Sequence, residues 1–191
     1  MKTKSIRIYE QGSYDVLKVE ETNIPILKSN EVLVKHHYLG LNYIDINQRN
    51  GSYKIKELPT NVGMEASGII EEVGKDVKRF KVGDKITHCM NLGSFTEYFV
   101  LNENRLVKLK NNIDLKLAAA STLQGLTAQY LTQKSWEVKK QDYVLIHAAS
   151  GGVGQILTQW SKIIGATVIG TVGNDYKASI AKNNGCDFVI N

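Results

Sequence analysis

Cysteine and proline are scarce in this 191-residue chain, with two of each. Cys89 and Cys186 cannot build a disulfide framework, and they are too few for a four-cysteine zinc lobe. No stretch approaches the ~20 apolar residues of a membrane span. The opening Met1–Arg7 leads into mixed strand-like residues with no apolar signal core, so a cytoplasmic protein is expected. Repeats and low-complexity segments are absent, and no basic run is longer than Lys139-Lys140. The formal net charge of +5 is diffuse, because acids are interleaved with the lysines nearly everywhere. Nucleic-acid readers gather Arg and Lys on one face, so the expectation is a solvated basic surface, with neither nucleic acid nor membrane as partner. What remains is an ordinary globular composition, 42% hydrophobic and 23% charged. A chain of this size can bury roughly 70% of its unfolded surface without staples.

The first ~115 residues read as β-rich. Glu31–Tyr38 and Ser67–Val73 are short strand candidates, and Gly74-Lys75-Asp76, Val82-Gly83-Asp84-Lys85 and Asn91-Leu92-Gly93-Ser94 are turn signals. Many short strands between Gly-rich turns favour a barrel or sandwich. The texture changes near Asp114. Apolar residues recur at helical spacing from there to Gln133, and Gly125 is expected to split the stretch into two helices. A βαβαβ pattern follows. Tyr143–His147 reads as a buried parallel strand, and Gly152–Ile164 as a helix with Ile156, Trp160, Ile163 and Ile164 on one face. Thr167–Thr171 is a second strand, Asp175–Asn184 a second helix closed by Gly185, and Asp187–Ile190 a third strand.

The chemistry lies between the first of these strands and its helix, in Ala148-Ala149-Ser150-Gly151-Gly152-Val153-Gly154. Dinucleotide phosphates bind in such an elbow for three reasons. Glycine supplies positive φ, no Cβ obstructs the pyrophosphate, and the helix start offers free N–H groups with partial positive charge. Aligned to G-x-G-x-x-G, the three positions are Ala149, Gly151 and Gly154, so the first glycine is missing. The other reading is a tight turn without ligand, but the strand–loop–helix context favours the cofactor. About 20 residues on, an NAD site places an acid at the end of the second strand. Here Thr171-Val172-Gly173-Asn174 carries none, and Asp175 comes late. Lys177 can pair with a 2′-phosphate or simply face solvent, and NADP is favoured over NAD.

Four segments together carry a resemblance. They are Leu41-Asn42-Tyr43-Ile44-Asp45 with Arg49–Tyr53; Val62-Gly63-Met64-Glu65-Ala66-Ser67-Gly68 with the later Val73-Gly74 and Val82-Gly83-Asp84; Leu123-Gln124-Gly125-Leu126-Thr127-Ala128; and the glycine elbow with Gly170–Gly173 and Lys177. The chain resembles the N-terminal part of the quinone oxidoreductases, the zeta-crystallin-like branch of the medium-chain dehydrogenase/reductase superfamily. The resemblance implies an α/β plus β fold: a GroES-like β-barrel catalytic domain over residues 1–120, then a truncated, half Rossmann dinucleotide-binding domain over 121–191. It also implies NADPH-dependent reduction of a quinone or similar conjugated carbonyl. Asn42 and Tyr53 are then the expected catalytic residues. The expected cofactor residues are Asn42, Thr127 from a helix start, Gly151, Gly152, Val153, Gly154, Gly173 and Lys177, with Asp45 and Arg49 as orienting groups. Zinc-dependent relatives place Cys and His where this chain has Asn42 and Met64, so a zinc-free site is expected, since Asn and Met are poor zinc ligands.

Each role has a plainer alternative. Asn42 can hold a turn, Tyr53 can be packing, and Asp45 with Arg49 can be an i,i+4 surface pair. His36, His37 and His147 read as strand or core residues. The family also implies a second βαβαβ half; without it Tyr143–His147, central in composition, is expected to become an apolar edge strand that invites association, so a homodimer or a companion chain supplying that half is expected. Two alternatives to a quinone reductase stay open. One is a non-catalytic piece that binds at most the adenosine-phosphate part of NADP, and the other is a reductase of enoyl thioesters or alkenals.

Overall fold

The structure, a computed structural model, describes residues 1–191 and divides into two compact units, Met1–Thr122 and Leu123–Asn191. In the first unit, strands alternate with turns because β-branched and aromatic residues are punctuated by Gly, Asn and Asp. Its strands are β1 (Lys2–Ile8), β2 (Lys18–Asn23), β3 (Glu31–Gly40), β4 (Thr60–Asn61), β5 (Glu65–Val73), β6 (Lys85–Cys89), β7 (Tyr98–Asn102) and β8 (Val107–Lys108), with helix α1 (Tyr43–Asn50) after β3. They form an antiparallel three-stranded sheet, β2-β1-β4, and a five-stranded one, β7-β3-β5-β6-β8. A bridge between Ser5 and Thr96 joins β1 to the segment leading into β7. Val32, Val34, Ile70, Phe80, Ile86, Leu101 and Leu106 fill the core, and burying each such side chain contributes about 1.5–3 kcal/mol.

Helix α2 (Leu115–Tyr130) runs on into a π-helical turn, Leu131–Ser135. The helix is continuous through Gly125, contrary to the expected break. A mid-helix glycine costs about 1 kcal/mol relative to alanine, which the rest of a 16-residue helix readily absorbs.

The second unit holds β9 (Tyr143–Ile146), α3 (Gly152–Ile164), β10 (Thr167–Thr171), α4 (Asp175–Asn183) and β11 (Phe188–Ile190). The three strands are parallel in the order β11-β10-β9, and their core is Ile146, Ala149, Val168, Ala181 and Cys186. Strand β9 lies at the edge, as a lone half of the fold requires of it despite a composition that reads as buried: Tyr143 is 77% exposed and Leu145 55%, because only β10 pairs with it. Helix α3 does not bury its Ile and Trp residues. It buries Gly154, Thr158 and Ser161, a stripe of small residues that lets the helix lie close to the sheet, and Ile163 is 85% exposed. No helix is long and apolar enough to cross a membrane.

Candidate cofactor and active site

The elbow between β9 and α3 is built by close backbone approach. A Cβ on Gly154 would lie 2.8 Å from the Ala149 Cα and closer still to the Ala148 carbonyl oxygen, so only glycine lets the first turn of α3 sit on the end of β9. The positive φ expected of the loop falls elsewhere. Gly151 is extended at φ −77°, while Ala148 adopts φ +51°, a left-handed conformation that costs an L-residue on the order of 1–2 kcal/mol. The Gly151 N–H donates to the Ala148 carbonyl at 2.8 Å, and the Gln155 side chain donates to the Ser150 carbonyl at 2.9 Å; together they tie the loop down. Gly151 caps α3 without any side-chain hydrogen bond. The first N–H groups of the helix therefore lack an internal acceptor, the condition that makes a helix start bind anions.

Above the loop lies a pocket of about 320 Å³ lined by Ala148, Ser150, Gly151, Thr171, Val172, Gly173 and Lys177. A Cβ on Gly173 would meet nothing within 4 Å, so any side chain there would occupy the cavity. No carboxylate lines it, and Lys177 takes part in no ion pair. Asp175, the acid that comes late, accepts from the Asn191 side chain at 2.9 Å and is not part of the wall. Lys177 is held through its backbone, whose N–H donates to the Asn174 side chain at 2.9 Å at the start of α4. Sequence reasoning did not single out His147 here, yet its Nδ1 lies 3.0 Å from the hydroxyl of Thr171 on the rim.

An adenosine 2′-phosphate and a pyrophosphate fit this donor set. The start of α3 offers uncapped N–H groups and Lys177 offers an ammonium with no ion pair, donors suited to two separate anionic groups, and the pocket wall carries no competing negative charge. Gly151, Gly173 and Lys177 are brought together on one cavity wall, with Gly152, Val153 and Gly154 forming the helix turn beside it. Thr127 is placed differently from its expectation. It stands near the C-terminal end of the continuous α2, not at a helix start, and its hydroxyl donates to the Leu123 carbonyl at 2.8 Å.

In the first unit, Asn42 occupies the N-cap of α1 with extended φ and ψ of −126° and 158°. Its backbone N–H donates to Asp45 Oδ2 at 2.7 Å, and its side-chain Nδ2 donates to Glu65 Oε2 at 2.7 Å. Asp45 is not a surface partner of Arg49: it is 5% exposed, no ion pair includes either residue, and Asp45 Oδ1 has no hydrogen-bond partner. Desolvation by burial pushes its carboxyl above the ordinary value, with the Asn42 N–H acting the other way. Tyr53 is exposed, with its backbone held by Asn47 and Gln11. Met64 stands beside Glu65, and its sulfur accepts from the Gln48 side chain. No group of three or more His, Cys, Asp or Glu side chains is placed to hold a metal ion. Glu65, at the start of β5, escaped sequence reasoning as a functional group. Its only signal was its place after Gly63-Met64.

Residues 28–111 match the alcohol dehydrogenase GroES-like domain. The quinone oxidoreductase of Pseudomonas aeruginosa is 40% identical over 95% of this chain and 56% of its own length. The crystal structure of Escherichia coli quinone oxidoreductase complexed with NADPH superposes with a TM-score of 0.95 at 38% identity, covering 98% of this chain and 58% of that one. The chain is related to the quinone oxidoreductases of the medium-chain dehydrogenase/reductase superfamily and corresponds to their N-terminal part. A 2-haloacrylate reductase from Burkholderia is 37% identical over 96% of the chain and 57% of its own length. The chain thus spans a little over half the length of the quinone oxidoreductases it matches. Its β-rich unit is a GroES-like barrel, and its parallel sheet is one half of a Rossmann fold, in the 3-2-1 strand order of that half.

Proposed function

We propose that this chain takes part in zinc-independent hydride transfer from NADPH to a quinone or similar conjugated carbonyl, with residues 1–120 as the catalytic domain and 121–191 as the coenzyme-binding domain. The observation that carries this reading is the acid-free pocket over an uncapped helix start, with Lys177 on its wall. Its support comes from relatives named quinone oxidoreductase, one of them solved with NADPH. Bound NADPH supplies the hydride. The chain's own residues bind and orient. The N–H groups of Gly152 and Val153 receive the pyrophosphate, Lys177 receives the 2′-phosphate, and Thr127 contributes on the coenzyme side. Asn42 presents an amide N–H to a carbonyl oxygen, and Tyr53 presents a phenolic hydroxyl to the same substrate. A quinone is electrophilic without a Lewis acid, so neutral donors aimed at the oxygen that gains charge are sufficient polarisation.

The test is titration of the purified chain with NADPH, NADH and 2′,5′-ADP, followed by NADPH-dependent reduction of a simple benzoquinone. The reading expects NADPH and 2′,5′-ADP to bind, NADH to bind more weakly, and the quinone to be reduced. Fragment binding without turnover by this chain would leave it as a binding piece, and equal affinity for NADH and NADPH would remove Lys177 from its role. The haloacrylate relative supports a second substrate class, alkenes conjugated to a carboxyl group, which the same assay separates by substrate.

A further inference from the structure

Glu65 is 1% exposed, at the first position of β5. Its neighbours across the sheet are Gly40 on β3 and Cys89 on β6. The approach to β3 is tight: a Cβ on Gly40 would lie 2.8 Å from the Glu65 Cδ, so the carboxylate packs on bare backbone. From that seat its Oε2 accepts from the side-chain Nδ2 of Asn42, two residues beyond Gly40, at 2.7 Å. Asn42 is fixed from a second side by Asp45, which accepts its backbone N–H.

Burying a carboxylate carries a large desolvation penalty. A glutamine would fill the same volume without it, so the charge calls for an explanation. Asn42 provides one. A primary amide has a donor end and an acceptor end of nearly equal shape, and only its partners decide which way round it sits. A carboxylate accepts and never donates, so it forces the nitrogen of Asn42 inward. The second N–H and Oδ1 are then held in one fixed sense. A glutamine could donate as well as accept, and only the weaker capping contact between the Asn42 side chain and the Asp45 N–H would then favour one sense of the amide.

We propose that Glu65 is a positioning residue for Asn42, a buried carboxylate that fixes which edge of the Asn42 amide is offered to the reacting partners. The proposal rests on the reading above, in which Asn42 touches substrate or cofactor.

The experiment compares the full chain with Glu65→Gln, Asn42→Ala and the double variant, by side-chain amide NMR and by NADPH-dependent quinone turnover. In the parent the Asn42 proton facing Glu65 resonates downfield of its partner, and in Glu65→Gln that separation collapses. Turnover falls about tenfold or more, as expected for loss of one charge-assisted hydrogen bond, while the KM for NADPH holds. In the Asn42→Ala background, Glu65→Gln has no further effect on kcat. Unchanged Asn42 signals in Glu65→Gln overturn the proposal, and so do additive losses in the double variant. A parent chain without turnover overturns the proposed activity, and the Asn42 signals then still decide the hold. Should Glu65→Gln fail to fold, Glu65→Asp retracts the carboxylate by one methylene, and an unmoved Asn42 signal there overturns the proposal equally. Cys89 reports the charge independently. Its thiol is pushed up first by burial and then by Glu65, so Glu65→Gln speeds its alkylation at mildly alkaline pH, and an unchanged rate counts against an ionised Glu65.

Discussion

Acidification from about pH 7.5 to about pH 5 probes two imidazoles of the barrel, His88 fully buried and His36 half-buried. His36 on β3 and His88 on β6 face each other with their Nε2 atoms 2.9 Å apart. The Asn91 side chain is 3.3 Å from His88 Nδ1, and His36 Nδ1 is 2.8 Å from the Thr96 carbonyl. An amide donor at one end and a carbonyl acceptor at the other define a single chain of bonds through two neutral rings. Asn91 donates to His88, His88 donates from Nε2 to His36, and His36 donates from Nδ1 to Thr96. A proton added to either ring puts two N–H groups head to head. Desolvation is the first cause that pushes His36 down to about 4 and His88 down to about 3, and the charges acting on them, His37 on His36 and His36 on His88, push the same way.

Both folded values lie below the ordinary 6.5, so the unfolded chain binds these protons first as pH falls. Their contribution to stability is complete above pH ~6.5 and is lost as pH falls below that toward the folded values. At about pH 5 the unfolded imidazoles are almost fully protonated and the folded ones are not, which costs about 2 kcal/mol per ring and about 4 kcal/mol for the pair. That is a large share of a typical domain's 5–15 kcal/mol. The assay is urea unfolding across this pH range for the parent and for His36→Gln/His88→Gln. The parent should lose about 4 kcal/mol more than the variant between the two pH values. Parallel losses would refute the reasoning, because other groups would then account for the acid sensitivity.

Three further outcomes are expected. Lys177→Met weakens NADPH about 10- to 100-fold, the worth of one charged hydrogen bond, and leaves NADH unchanged, as read by fluorescence titration; an equal loss for both would show a fold defect. Gly154→Val drives a side chain into the Ala148 and Ala149 backbone, destabilises the chain by at least about 1–3 kcal/mol in urea unfolding and abolishes pyrophosphate binding, and an unaltered midpoint would contradict the close approach. Gly125→Ala stabilises by about 0.5–1 kcal/mol because α2 is continuous and a Cβ there meets nothing within 4 Å, and a loss of stability would mean that the glycine serves a break after all.

Local pattern made the βαβαβ order, the limits of α3 and β10 and the β-rich character of the first 115 residues readable in advance, because period and turn chemistry act over a few residues. Burial was less legible, because it depends on partners distant in sequence. The apolar composition of β9 suits a central strand, and its place at an edge followed only from the half fold, not from its own residues. The Ile and Trp side of α3 looks like a core face, yet the helix approaches the sheet on Gly154, Thr158 and Ser161. The elbow shows the same limit. Its glycines were visible, but which residue carries positive φ was not, and the structure assigns that strain to Ala148.

The candidate site divides along the same line. Lys177 and the residues of the elbow lie within 30 positions of one another, in a strand–helix unit whose spacing is itself the signal, so their grouping could be read directly. Glu65 is 23 residues from Asn42, and the two meet only because β3 and β5 pair in the register that sets Gly40 opposite Glu65. A one-residue slip of that pairing would turn Glu65 to the other face and free the Asn42 amide to rotate. The bulges that shift the register between Leu33 and Val34 and between His36 and Tyr38 therefore bear on the chemistry as well as on the barrel. They decide which face Glu65 presents at the far end of the strand, and no local pattern in the sequence encodes their sum.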